Sequence, residues 1–176
     1  VAASGSYWDQ QVQTWPGHFD GTIFHAQDYL DPSAPHDTQG KNVIVVGVGN
    51  TGCELACEIA RSDAHNVYLS ARSGTWIMPK TIDGVPAAEG VPMNHPTDDI
   101  PLELQQMPQD EREQLLESLA TQKIKETYGD RMQRFEELGL PPAPNRPLLK
   151  RPTMSQDLLE HLEKGDLRAM PAIAEL

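Results

Sequence analysis

Basic residues are scarce in this chain. Its 14 lysines and arginines face 26 acidic residues, for a formal net charge of −12 over 176 residues. Nucleic-acid binding needs a basic footprint, so that class is excluded. No apolar run reaches the roughly 18 residues that a membrane helix requires, and no basic amphipathic start is visible. No membrane segment is therefore expected, and the reading is cytoplasmic. Cysteine is limited to Cys53 and Cys57. With the histidines scattered, these two make no metal set; they read as small buried apolar residues in a reducing compartment. No Ser/His/Asp or Cys/His arrangement supports a hydrolase, and no catalytic residue is assigned.

What the chain does have is a stretch running GKNVIVVGVGNTGCELACEIARS from Gly40 to Ser62. Val43, Ile44, Val45 and Val46 form an unbroken apolar run, as in a parallel strand buried on both faces. Gly47, Gly49 and Gly52 then fall in the spacing G-x-G-x-x-G. From Cys53 onward the apolar residues Cys53, Leu55, Ala56, Ile59 and Ala60 recur at helical spacing. Strand, glycine turn and helix in that order form a dinucleotide-binding fingerprint. The first glycine permits the tight turn, the second leaves room for a pyrophosphate, and the third lets helix and strand pack closely. An ordinary structural turn is the competing account.

A second strand is expected over Asn66–Ser70. In NAD-binding units an acid about 20 residues past the glycines holds the ribose 2′-hydroxyl. No carboxylate occupies that window, which instead contains Ser70, Ala71, Arg72 and Ser73. An acid there would repel a 2′-phosphate, whereas a guanidinium pairs with it through two charge-assisted bonds. Arg72 therefore favours NADP(H), with Ser70 or Ser73 as helpers and Lys80 a lesser one. Asp63 falls too early to serve an NAD ribose.

Upstream, Phe19, Gly21, His25 and Tyr29 make the pattern F-x-G-x-x-x-H-x-x-x-Y. Together with VGVGNTGCELACEIA, LSARSGTWIMP and the closing RPTMSQDLLEHLEKGDLRAMPAIAEL, it resembles the flavin-containing monooxygenases along nearly the whole chain. The related Baeyer–Villiger enzymes usually carry Trp at the last position of that pattern; Tyr29 favours the N- and S-oxygenating branch. The resemblance implies an FAD domain and a smaller NADPH domain, with flavin and O2 together oxygenating a small amine or sulfide. It also assigns Gly47, Gly49, Asn50, Thr51 and Gly52 to the NADP pyrophosphate and Arg72 with Ser73 to the 2′-phosphate. His25 fits a hinge better than a proton-transfer role.

A second fingerprint for FAD is absent, and both ends of the chain resemble domain crossings. The expected fold class is thus α/β: a Rossmann-like NADP-binding domain with a helical insertion, excised from a two-dinucleotide-domain flavoprotein. Residues 1–39 read as an opening or hinge segment, 40–97 as the Rossmann core, 98–147 as the helical insertion and 148–176 as a return helix and strand. The proline-rich stretch from Ile77 to Pro101 is expected to be an irregular surface loop. The helix that follows starts at Pro108 and breaks near Gly129, with a stripe of Leu116, Leu119 or Ala120, Ile124, Tyr128, Met132 and Phe135. Ser155 is expected to cap the last helix and Gly165 to end it. The missing FAD-binding domain is the expected partner; a homo-oligomer is left open. The surface facing that partner should include Trp8, Trp15, Phe19 and the Tyr128–Met132–Phe135 stripe. The alternatives are a Baeyer–Villiger monooxygenase domain or a free-standing NADP-dependent Rossmann reductase, although no Tyr here has Lys four residues later.

Overall fold

A computed structural model describes residues 9–82, 84–86, 104, 106–147 and 151–176. Trp8, the segment Val1–Gly5 and most of the proline-rich loop before Leu104 lie outside the described residues. Strand β1 (Asn42–Val46) ends where Gly47 takes φ 110°, a value that β-branched residues resist. Helix α1 (Asn50–Ala60) follows at once and buries Cys53, Ala56, Cys57 and Ile59. That spacing of small and medium side chains gives α1 one face that lies close against the sheet. The return turn fastens to the start of β1, where Gly40 N–H donates to Asp63 and His65 N–H to Lys41. Strand β2 (Asn66–Ala71) then pairs in parallel with β1, Asn42 opposite Asn66 through Val46 opposite Ser70.

The third strand of this sheet comes from the far end of the chain. The last helix, α3 (Leu158–Lys164), stops at Gly165 with φ 79°, and the chain enters the last strand, β7 (Leu167–Pro171). It pairs in parallel with β2, giving the order β1-β2-β7. Helices α1 and α3 both lie on the face formed by Val43, Val45, Val67, Leu69 and Leu167, all members of one apolar cluster. Gly165 ends α3 as expected. Ser155 does not cap it: Asp157 holds the capping position, and its carboxylate pairs with Arg61 instead. Ser155 is fully buried.

One expectation fails in an informative way. Strand β1 is buried on one face only; Ile44 and Val46 are 44% and 50% exposed on the other. The strand is an edge strand, and among the described elements none packs on that side. The proline-rich loop is also more regular at its start than expected. Ile77–Met78 forms β3, which pairs in parallel with β6 (Thr153–Met154), and β4 (Thr81–Ile82) turns through Gly84 into β5 (Val85–Pro86).

Helix α2 (Gln109–Glu137) runs unbroken through Gly129, so no interruption occurs there. Pro108 sits at its capping position rather than in the first turn, and Asp110 and Glu111 place negative charge against the helix N-terminus. The helix ends in a Schellman motif, with Leu140 N–H bonded to Phe135 O and Gly139 N–H to Glu136 O. Ile124, Tyr128, Met132 and Phe135 are buried within the chain, joining Trp76, Ile77 and Met78. This stripe therefore seals the chain's own core and presents no partner surface. Leu119 is 51% exposed, leaving Ala120 as the stripe's inward member.

Phe135→Ala should cost about 3–5 kcal/mol of stability by opening a cavity in this cluster. Leu119→Ala, on the same helix but exposed, should stay within about 0.5 kcal/mol. Urea denaturation of both variants checks the contrast, and equal losses would mean that α2 is packed through its other face.

Candidate functional site

The three glycines of the turn play different parts. Gly47 needs its glycine for conformation, at φ 110°. Gly52 needs it for space, because a Cβ there would come within 1.9 Å of Gly47 O. Gly49 needs neither: its φ is −84°, and a Cβ built on it meets nothing within 4 Å. The room above Gly49 is thus not used by the fold. No side chain caps α1, and its first internal bond is Cys53 N–H to Gly49 O at 3.0 Å. The amides of Asn50, Thr51 and Gly52 precede that bond at the positive end of the helix, which is the arrangement that receives an anion.

Asn50 and Thr51 are both exposed. The Asn50 side chain is already engaged, since Oδ1 accepts from Met154 N–H at 2.8 Å. Thr153 Oγ1 in turn donates to Val48 O at 2.8 Å. Neither contact is legible locally, because more than a hundred positions separate the partners.

Arg72 and Ser73 lie exposed just beyond the C-terminal end of β2. They stand beside the glycine turn, since Gly47 N–H donates to Ser70 O at 2.9 Å. Arg72 has no hydrogen bond or ion pair with any described residue. Ser70 is withdrawn from the site: it is buried, and its hydroxyl donates to Pro171 O at 2.8 Å. Lys80 is likewise occupied, its Nζ 2.6 Å from the Glu54 carboxylate on α1. Asp63 lies at the opposite end of the sheet, beside the start of β1.

The upstream motif forms its own compact loop. Gly21 sits beneath the Phe19 ring, where a Cβ would come within 2.4 Å of ring carbon. His25 Nδ1 accepts from Gln27 N–H at 3.2 Å and caps the short 3-10 turn Ala26–Asp28. Tyr29 packs against the main cluster with its hydroxyl buried; burial and the neighbouring Glu58 carboxylate raise its phenol above the ordinary value. The loop is thereby anchored on α1. Burial pushes the Cys53 thiol up to about 12 and that of Cys57 to about 11, so both stay neutral and unreactive near pH 7. An open cavity of about 310 Å³ lies along α2, lined by Gln114, Glu117, Ser118, Thr121 and Arg146. It shares no residue with the glycine turn, and the Arg146–Glu117 ion pair links two of its lining residues.

Residues 6–176 match the family model described as "FMO-like: Flavin-binding monooxygenase-like". Flavin-containing monooxygenase 3 of Homo sapiens is 44% identical over 73 residues, covering 40% of this chain and 13% of that protein. Flavin-containing monooxygenase 5 of Oryctolagus cuniculus is 32% identical over 170 residues, covering 93% of this chain and 28% of that protein. The chain thus spans well under a third of the length of these curated relatives. A solved structure described as an oxidized steroid monooxygenase bound to NADP superposes with a TM-score of 0.61 at 17% identity. It is covered for 40% of its length, by 95% of this chain, and the likeness is one of fold. Along essentially its whole length, then, the chain belongs to the flavin-binding monooxygenase-like family.

Proposed function

We propose that this chain is the NADPH-binding domain of an FAD-dependent monooxygenase that uses NADPH and O2 to oxygenate soft nucleophiles at nitrogen or sulfur. The observation that carries the reading is the pairing of unused room over Gly49 with Arg72, unpartnered among the described residues, at the same edge of the sheet. Amides of Asn50, Thr51 and Gly52 would hold the pyrophosphate. Arg72, helped by Ser73, would take the 2′-phosphate. When bound, NADPH supplies a hydride, and flavin supplies the means to activate oxygen. This chain's own part is to bind and orient; it offers one glycine fingerprint and no second one for FAD. FAD is therefore assigned to the rest of the protein.

The exposed Ile44 and Val46 support a partner on that side. Parallel sheets are ordinarily covered on both faces, and among the described residues the outer face of β1 is left open. The remainder of the monooxygenase is the proposed cover. Two unpaired buried thiols suit a reducing, cytoplasmic location, and no described helix is long and apolar enough to cross a membrane.

Gly49→Val should abolish NADPH binding with the fold retained, because the new side chain enters space that only a ligand would use. Gly52→Ala should instead lower the melting temperature, since its methyl group strikes the Gly47 carbonyl. Calorimetric titration and thermal melts separate the two; near-parent NADPH affinity in a folded Gly49→Val variant would reduce the fingerprint to a turn.

Arg72→Ala should weaken NADPH about tenfold or more, the loss expected for a charged hydrogen-bond partner, and leave NADH nearly unchanged. Equal losses for both cofactors in a titration would remove Arg72 from the 2′-phosphate.

By itself the chain should bind no FAD and should consume no oxygen with NADPH and an amine or sulfide. Supplying the FAD-binding remainder should restore oxygen uptake at an electrode. Stoichiometric FAD on the 176-residue chain would overturn this division of labour.

A further inference from the structure

A turn with three glycines in six residues has a conformational problem. Glycine loses more freedom on ordering than any other residue, so holding the amides of such a turn converged carries an entropic cost that bonds from outside the turn offset. The structure supplies that help from β6. This short strand is fixed in place by its pairing with β3, with Thr153 N–H donating to Trp76 O at 2.7 Å and Ser155 N–H to Met78 O at 2.8 Å. From that platform two bonds reach the turn, one on each side of Gly49. The Thr153 hydroxyl donates to Val48 O, and Met154 N–H donates to the Asn50 side-chain oxygen, both at 2.8 Å. Thr153 is 4% exposed, so its bond is shielded from competing water.

We propose that Thr153 and Asn50 are positioning residues for the nucleotide site, clamping the glycine turn from both sides so that the α1 amides are aimed before any ligand arrives. The proposal rests on the nucleotide reading above for its functional consequence, although not for the clamp itself. Preorganisation of this kind strengthens binding by removing ordering costs that would otherwise fall at the moment of association. Two consequences follow from the geometry. The Asn50 side-chain oxygen is committed to Met154, so what Asn50 can turn toward an anion is its backbone N–H and its side-chain NH2. Further, a clamp on the pyrophosphate turn acts on the part that NADH and NADPH share, whereas Arg72 acts only on the part that differs.

The test uses Thr153→Val, which keeps the shape and loses the hydroxyl, and Thr153→Ser, which keeps the hydroxyl. In the unliganded chain, Thr153→Val should lower the backbone NMR order parameters at Val48 and Gly49 and leave those of β2 and β7 at parent values. Affinity for NADPH and for NADH should fall by the same factor, about two- to tenfold for one lost hydrogen bond. Thr153→Ser should restore the turn's order and most of the affinity. Parent-like order parameters at the turn in Thr153→Val, or a loosening spread evenly over the sheet, would overturn the clamp. If the parent chain binds neither nucleotide, the nucleotide reading fails, and the order parameters still decide whether Thr153 holds the turn.

Discussion

The glycine-turn end of the fold depends on the passage of Gly52 beneath the carbonyl of Gly47. A single methyl group at Gly52 would sit within 1.9 Å of that oxygen. Because the pass is so tight, α1 begins directly off the end of β1 and lies flat on the sheet, where Ala56 and Cys53 are fully buried. The same pass leaves the first amides of α1 at the carboxyl edge of the strands. In open parallel sheets that edge is where ligands enter. The neighbouring strand ends there too, delivering Arg72 within two residues of the Ser70 carbonyl that fastens Gly47. Backbone geometry and helix polarity at this edge thus follow from one glycine contact, and the end of β2 sets Arg72 beside them.

At its β1 edge the resulting sheet is covered on one side only. Val43, Val45, Val67, Leu69 and Leu167 are sealed by α1 and α3, and Ile44 and Val46 face outward. Exposing two large β-branched side chains on an unpaired edge is a known route to association with another chain. In the proposed reading the partner is the rest of the monooxygenase, which places the nucleotide turn at the boundary between the two parts. A cofactor held at such a boundary is within reach of groups from both sides, which a hydride donor serving a flavin requires. The long helix α2 contributes differently, by closing the chain's own core around Trp76, Ile77 and Met78.

Local signals carried much of this into the sequence. The glycine spacing, the β-branched run before it and the small residues of α1 are all set by contacts within a few positions, and they were legible. So were Gly165 as a helix stop and most of the α2 stripe. Three features depended on distant partners and were not. The exposure of Ile44 is decided by what covers the sheet, which an apolar run does not encode. Ser155 reads as a helix cap from its neighbours, yet tertiary packing buries it and shifts the helix start to Leu158. The roles of Thr153 and Asn50 arise from a contact across more than a hundred positions, with no periodicity to announce it. Ser70 illustrates the same limit: its place in the motif suggested a phosphate helper, while the neighbouring strand takes its hydroxyl.

Net charge sets a last constraint on how such a site can work. At −12 the chain as a whole repels a polyanionic cofactor. That repulsion is screened beyond roughly 8 Å at physiological ionic strength, so it acts on approach more than on the bound state. Attraction must then come from short-range groups already in position: aligned amides, the helix dipole and one guanidinium. Several other cations are unavailable, since Arg61, Lys80, Arg134 and Arg146 are each paired with a carboxylate. In the proposed reading an acidic protein gains selectivity from this arrangement. In that reading, an anion that fits the turn and also reaches Arg72 collects both sets of contacts, and the 2′-phosphate is the group that adds the second.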